Sequence, residues 1–203
     1  MELPCLTRPA CLPVIARLWR PKTGPSKVEL AASMIRLLSV CLNRTVHVVA
    51  DAAYHGKALR HLPASITVTT RLPKSAGLYD LAPPPTGKRG RPALKGERLC
   101  TPADLAATAH FTTRQVNRYG RTDAVRIAEI RCLWYGSFHT RTVRIVLLRE
   151  HDTAVGYDLA LVTADLHTPA AVLITRYAWR WSIEVTFAEA REILGVGQAR
   201  NRR

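Results

Sequence analysis

Four side chains near the end of the chain have a spacing that could place a divalent metal ion beside a phosphate. Tyr177, Arg180, Glu184 and Arg191 follow the pattern Y-x2-R-x3-E-x6-R. On a helix, which turns about 100° per residue, the four side chains would fall within roughly 60° of one another. A plainer interpretation is an intrahelical ion pair between Arg180 and Glu184, of the i,i+4 kind that contributes only about 0.2–0.5 kcal/mol. The pair alone fits either interpretation, and the four-residue stripe favours the first.

Asp51 is a second candidate for metal binding. It follows residues 45–50, a run that contains four Val or Thr residues and predicts a central strand. Active sites of open α/β folds gather at the carboxyl ends of strands. The small residues Ala52 and Ala53 leave room there for a ligand. The alternative is that Asp51 only caps the turn that follows the strand.

The elements around Asp51 alternate between helix and strand. Apolar residues at helical spacing predict a helix over residues 27–42, with Ser26 as its cap. A short helix over residues 56–61 and a second strand over residues 66–71 follow Asp51. The order α-β-α-β predicts parallel strands in an α/β layer.

A β-rich region and a long helix complete the chain. β-like segments cover residues 115–119, 125–134, 142–148 and 159–163, and helical spacing covers about 169–194. We expect an apolar stripe of this helix to pack on the sheet and to leave Glu184 at the border of the buried face. The members of that stripe are Val172, Ile183, Phe187, Ala190 and Leu194.

The charge of the chain points to a polyanionic partner. Its 203 residues include 30 Lys and Arg against 15 acids, which gives a formal net charge of +15. Nucleic acid is the first candidate and an acidic membrane surface the second. Arg outnumbers Lys by 24 to 6, and Arg suits bidentate phosphate contacts. A GC-rich genome would also favour Arg over Lys, but it would not account for the net charge.

Asp51, the β-rich region and the helix with Tyr177, Arg180, Glu184 and Arg191 together resemble the DDE transposases of bacterial insertion sequences. The closer resemblance is to the subgroup whose last acid lies in a Y-x2-R-x3-E-x6-K motif, with Arg191 replacing the Lys. The resemblance implies DNA cleavage and strand transfer with two Mg²⁺ (or Mn²⁺) ions. It makes Asp51 and Glu184 the catalytic metal ligands and gives Tyr177, Arg180 and Arg191 contacts with DNA phosphates.

The resemblance also implies an α/β fold: a partial ribonuclease-H-like core, with a mixed sheet and flanking helices, interrupted by a β-rich insertion. We expect the first part of the core over residues 1–73, the insertion over 74–163, and the core-completing helix and tail over 164–203. The family's first catalytic Asp lies upstream of the helix that precedes the second, yet only Glu2 is acidic before residue 27. The expectation is therefore a truncated chain that is inactive alone. A rival expectation makes Asp165 the third acid.

Two further motifs suggest DNA contacts. Lys88, Arg89 and Arg91 belong to a KRGRP segment that resembles an AT-hook, a basic arm that enters the minor groove; the alternative is a solvated loop. Trp134-Tyr135 lies at a strand end where related transposases stack a flipped base, although a core aromatic would look the same.

Together these patterns predict DNA (transposon ends and target) as the partner, no membrane partner, and a possible homodimer of the full-length parent. The cysteines are scattered and form no C-x2-C pair, which favours reduced thiols. We therefore expect a bacterial cytoplasmic protein associated with the nucleoid. The alternative function is that of a non-catalytic basic DNA-binding protein.

Overall fold

One mixed sheet of six strands, with helices on both faces, forms the framework of the molecule. The structure is a computed structural model that describes residues 11, 13–84, 90–150 and 155–195. The helices are α1 (Lys27–Leu42), the short 3₁₀ helix η1 (Lys57–Leu59), α2 (Pro102–Thr108), α3 (Tyr135–Phe138), α4 (Ala170–Trp179) and α5 (Ser182–Leu194). The strands are β1 (Val46–Ala50), β2 (Ile66–Arg71), β3 (Thr112–Arg118), β4 (Arg121–Leu133), β5 (Thr142–Arg149) and β6 (Leu159–Thr163).

The strand order is β1-β2-β6-β5-β4-β3. β1 and β2 are parallel, with Val46 opposite Ile66, and every other neighbouring pair is antiparallel. This mixed sheet with flanking helices is the predicted fold class and is compatible with a partial ribonuclease-H-like core. The β-rich region supplies β3 to β6 of the same sheet that holds β1 and β2. The division of the chain at residues 73 and 163 stays a prediction.

Two hydrophobic clusters lie on opposite faces of the sheet. On one face, Ala32 of α1 packs with Ile66 and Val68 of β2. On the other face, Leu173 and Ile174 of α4 pack against β5 and β6. The alternation of side chains along a strand separates the two faces. The sheet therefore has an α1 face and an α4 face, and the residues that follow β1 lie at their common edge.

The bounds of α1 follow from its first residues. The Ser26 hydroxyl accepts a hydrogen bond from the N–H of Glu29, and the Glu29 carboxylate accepts one from the N–H of Ser26. This capping box satisfies backbone donors that the first turn of a helix leaves free. The helix ends where Asn43 takes a left-handed conformation at φ 45°. The sequence-based prediction of residues 27–42 is confirmed.

The long helix predicted over residues 169–194 is interrupted. Arg180 and Trp181 separate α4 from α5, although both keep right-handed helical backbone angles. The N–H of Arg180 donates to Tyr177 O at 3.2 Å, and that of Trp181 donates to Ala178 O at 3.1 Å. These i→i−3 bonds tighten the path into a 3₁₀ turn. The prediction of one continuous helix was wrong.

The predicted packing of the apolar stripe on the sheet was also wrong. Val172 and Ile183 are each 40% exposed and Phe187 is 54% exposed; the Leu194 side chain lies outside those described. Apart from its bonds to α4 and to the tight turn, α5 is linked to the rest of the described chain by a hydrogen bond from the Thr186 hydroxyl to Cys11 O. Because α5 departs from the sheet after the tight turn, its apolar residues remain uncovered. Glu184 is exposed for the same reason, and not half-buried as predicted.

Candidate active site

Asp51 stands directly after β1, as the sequence predicted. Its backbone carbonyl accepts hydrogen bonds from the Thr70 hydroxyl at 2.7 Å and from the N–H of Tyr54 at 2.9 Å. One carboxylate oxygen, Oδ1, accepts a hydrogen bond from the N–H of Ala52 at 2.7 Å. Within the described residues, the other oxygen, Oδ2, has no hydrogen-bond donor. Asp51 therefore holds its turn together and still presents an exposed carboxylate oxygen.

Arg71 is a site residue that the sequence reasoning missed. The register places Ala50 opposite Thr70, so Arg71 at the end of β2 stands beside Asp51. The signal was available, because parallel neighbouring strands end at the same edge of a sheet. The predicted strand over residues 66–71 already ended on this arginine. A cation therefore lies next to the candidate metal ligand.

Tyr177 and Arg180 approach the same edge from the α4 face. Burial raises the pKa of Tyr177; the charge of Arg180 opposes this rise, Asp51 adds to it, and Arg71 opposes it. The Arg180 guanidinium lies 5.6 Å from the centre of the Tyr177 ring. The Tyr177 hydroxyl thus lies within the electrostatic reach of three charged side chains: Asp51, Arg71 and Arg180. Because its pKa lies above the usual 10, the phenol is protonated near neutral pH and is able to donate a hydrogen bond.

Glu184 is held by Arg180. Arg180 Nη1 donates to Glu184 Oε1 at 3.3 Å, as the plainer interpretation of the motif predicted. The Nε atom of Arg180 is buried and has no hydrogen-bond acceptor among the described residues. Arg180 therefore joins Tyr177 to Glu184 and still has an unused donor. Arg191 lies in the last turn of α5 and is exposed, and in the part of the chain described it shares no hydrogen bond or ion pair with these three residues.

A divalent metal ion needs oxygen donors, and Asp51 supplies one at this edge of the sheet. Mg²⁺ takes oxygen ligands, commonly one or two carboxylates together with waters and substrate phosphates. The free oxygen of Asp51 satisfies the protein's part of such a site. Across the described ranges, no group of three or more His, Cys, Asp or Glu side chains is arranged to hold a metal ion. The residues therefore fit an ion that is shared with a phosphate, but they do not form a complete three-acid cluster.

Asp165, the rival third acid, lies at the other end of β1. Its carboxylate accepts hydrogen bonds from the backbone N–H groups of His167 and Thr168 and from the Thr168 hydroxyl. It lies 3.8 Å from the Nδ1 atom of His47, near the start of β1. Asp51 lies four positions after His47, about 13 Å along the strand at the usual rise. The rival assignment of Asp165 to the Asp51 site was wrong.

The two other predicted DNA contacts have different outcomes. Trp134 is only 5% exposed and packs against Phe138, as the core interpretation predicted. Lys88 and Arg89 lie outside the described residues. Arg91 is exposed, and it lies between Tyr79 and Arg98, two residues that a β-bridge joins. Its DNA contact stays a prediction.

A family model described as DDE superfamily endonuclease matches residues 8–136, more than half of the chain. This chain belongs to the DDE superfamily endonucleases. The matched segment of this endonuclease contains Asp51 and Arg71 and ends before α4, so Tyr177, Arg180 and Glu184 lie beyond it. A comparison with curated proteins gave no match. None of the described helices is both long and apolar enough to cross a bilayer.

Proposed function

We propose that this DDE superfamily endonuclease is an insertion-sequence transposase of the Y-x2-R-x3-E-x6-K subgroup, which cleaves DNA and transfers the cut strand. The packing of Tyr177 in the same hydrophobic cluster as Val49 of β1, the strand that leads into Asp51, carries the proposal. Asp51 belongs to the matched segment and Tyr177 to the separate motif, and the two lie at the same edge of the sheet. Transposon ends and target DNA would be the partners, and a homodimer and a nucleoid location follow from that role.

The proposed roles follow from the donors at each side chain. Asp51 would hold Mg²⁺ or Mn²⁺ through its free carboxylate oxygen, together with phosphate oxygens of the DNA. The ion, when bound, neutralises charge on the phosphoryl group that is transferred. Arg71 and Arg180 bind phosphate oxygens through charge-assisted hydrogen bonds. Tyr177 donates its hydroxyl proton in a hydrogen bond to the same backbone, and Arg191 contacts DNA further along α5.

Glu184 takes up its proposed role as second metal ligand when Arg180 changes partner. The ion pair with Arg180 occupies one Glu184 oxygen in the absence of DNA. A DNA phosphate competes for the same guanidinium and is favoured by the neighbouring Arg71. The exchange frees the Glu184 carboxylate for a cation. Because the described residues hold no three-acid group, we expect the 203-residue chain alone not to cleave DNA.

The metal role is tested by adding Mn²⁺ to the isotope-labelled chain and following its amide NMR signals. Paramagnetic broadening should begin around Ala52 and Tyr54, reach saturation, and disappear in Asp51→Asn. Glu192→Gln is the matched control, since Glu192 is an exposed acid of α5 that belongs to no proposed site. The same broadening in Asp51→Asn as in the unchanged chain would contradict the assignment.

A non-catalytic DNA-binding protein is the second candidate. The ion pair between Arg180 and Glu184 favours it, because that pair already satisfies the carboxylate without a metal ion. Such a protein would bind DNA through its basic surface alone, with an affinity that weakens steeply as salt rises. Salt-sensitive DNA binding without any Mn²⁺ broadening near Asp51 would identify this function.

A further inference from the structure

A concave basic surface lies on the α1 face of the sheet, apart from Tyr177 and Arg180. Two open cavities of about 460 and 430 Å³ adjoin each other there and share Arg60 and His61 in their walls. We call this surface the basic groove. Its cationic and histidine members are Arg36 of α1, Lys57, Arg60 and His61 of the η1 region, and His139 and Arg141 after α3.

The charge of the basic groove is not balanced within the described chain. None of its Arg or Lys side chains forms an ion pair with a described residue, whereas Arg118, Arg144 and Arg180 all pair with acids. Glu29 is the acid that lines the groove, and its carboxylate accepts a hydrogen bond from the N–H of Ser26 at 2.7 Å. Neighbouring cations without counter-charges favour an anionic ligand.

Arg60 fixes the shape of the groove. Its guanidinium donates to the carbonyl oxygens of Tyr135 (3.3 Å), Gly136 (2.7 Å) and Ser137 (3.3 Å). These bonds join the η1 region to α3 and use donors of Arg60 without cancelling its charge. The groove is thus built before any ligand arrives, and a preformed site loses less conformational entropy on binding. Lys57 and Arg141 flank this fixed centre, and among the described residues their side chains have no hydrogen-bond or ion-pair partner.

The groove lies close along the chain to the candidate active site. Only residues 52–56 separate Asp51 from Lys57. Tyr177 and Arg180 approach Asp51 from the α4 face, while the groove opens on the α1 face. A small phosphate compound would need one cavity. Two adjoining basic cavities, one of them lined by Lys57, suit a ligand with successive phosphates.

We propose that the basic groove binds the phosphate backbone of duplex DNA that extends past Asp51. Lys57 and Arg141 make the phosphate contacts, and Arg60 positions the wall between the two cavities. The proposal deepens the function given above and rests on DNA being the substrate. It adds a second, metal-independent contact that holds the duplex while its end lies at Asp51.

The test compares DNA affinity and its salt dependence in two charge-matched double variants. Lys57→Gln with Arg141→Gln removes two proposed contacts. Arg114→Gln with Arg121→Gln removes the same charge from the β3–β4 hairpin, at the opposite edge of the sheet from β1. Binding to a duplex of about 30 base pairs is followed by fluorescence anisotropy in EDTA, over about 50–200 mM KCl. Circular dichroism and Tm check that each variant folds.

The DNA affinity of the groove variant should be lower by a factor of roughly ten or more. The slope of its log affinity against log salt concentration should be smaller by about two, because each phosphate contact contributes close to one unit of slope. In the hairpin variant, the affinity and the salt slope should change much less. Equal changes in the two variants would overturn the proposal that the groove binds DNA but leave the proposed function standing. No DNA binding by the unchanged chain would overturn both. Binding to phosphatidylserine vesicles is measured in the same variants. If the groove variant loses binding to these vesicles but keeps its binding to DNA, the partner of the groove is a membrane and the DNA proposal is overturned.

Discussion

His47 of β1 is enclosed by polar groups on the α4 face of the sheet. Its ring nitrogens lie 2.7 Å from the Thr67 hydroxyl and 3.0 Å from the Thr69 hydroxyl, and the Thr69 hydroxyl donates to that of Thr163. Burial lowers the pKa of His47, the charge of Arg176 lowers it further, and Asp165 partly offsets both. The folded chain therefore favours the neutral imidazole, a group able both to donate and to accept these bonds.

Asp165 keeps its charge to low pH. Burial opposes ionisation, but the hydrogen bonds from Thr168 and His167 and the nearby His47 outweigh it and lower the pKa of Asp165 to about 2. The acid that seemed a rival metal ligand is satisfied by its own loop. It contributes stability that is present above its ordinary pKa of 3.8 and is lost as the pH falls toward 2.

We predict that the free energy of unfolding decreases as the pH falls below 6.5, the ordinary pKa of histidine. The unfolded chain takes up a proton at His47 before the folded chain does, so acid favours unfolding in this window. Urea unfolding at neutral and mildly acidic pH measures the effect. His47→Gln should lose part of this dependence, and His110→Gln, on an exposed histidine, is the control. An unchanged pH dependence in His47→Gln would contradict the prediction.

At the scale of elements, the sequence predicted those helix and strand bounds that a local residue pattern marks. The bounds of α1, β2 and β6 match; a capping residue marks the start of α1, and short apolar or β-branched runs mark the two strands. The break at Arg180 was not visible, since residues 178–183 contain neither Gly nor Pro and their spacing continues that of α4. Excluding Asp165 required the antiparallel pairing of β2 with β6, which no local pattern of residues reveals.

The two last helices should differ in their contribution to stability. Leu173 of α4 is fully buried, and replacing a buried Leu with Ala costs about 2–5 kcal/mol. Phe187 of α5 is 54% exposed, so Phe187→Ala should cost only about 0.5 kcal/mol. Urea unfolding of Leu173→Ala and Phe187→Ala compares them directly. Similar losses in the two variants would show that α5 is packed in solution.

At the scale of the whole molecule, the formal net charge of +15 affects folding and DNA binding in opposite directions. Cations repel one another in the compact state, and this repulsion is screened as salt shortens the Debye length from about 30 Å at 0.01 M to 8 Å at 0.15 M. The surface ion pairs, such as that of Arg121 with Asp123, lose little on screening because exposed pairs contribute only about 0–1 kcal/mol.

We therefore predict that KCl raises the free energy of unfolding while it lowers DNA affinity. Urea unfolding at low and moderate KCl measures the first effect and anisotropy the second. Sucrose, which is uncharged, serves as the control for general solvent effects on DNA binding. A fall in stability with added KCl would show that attraction among the paired charges outweighs the repulsion.

The two edges of the sheet differ in a way that affects handling of the protein. β3, at one edge, carries Arg114 and Arg118, and charged residues discourage the addition of a foreign strand. β1, at the other, reads VHVVA, has no formal charge or proline, and no described strand lies on its outer side. Concentrated samples should therefore assemble into β-rich aggregates through β1, so the strand that positions Asp51 also limits how the protein can be stored.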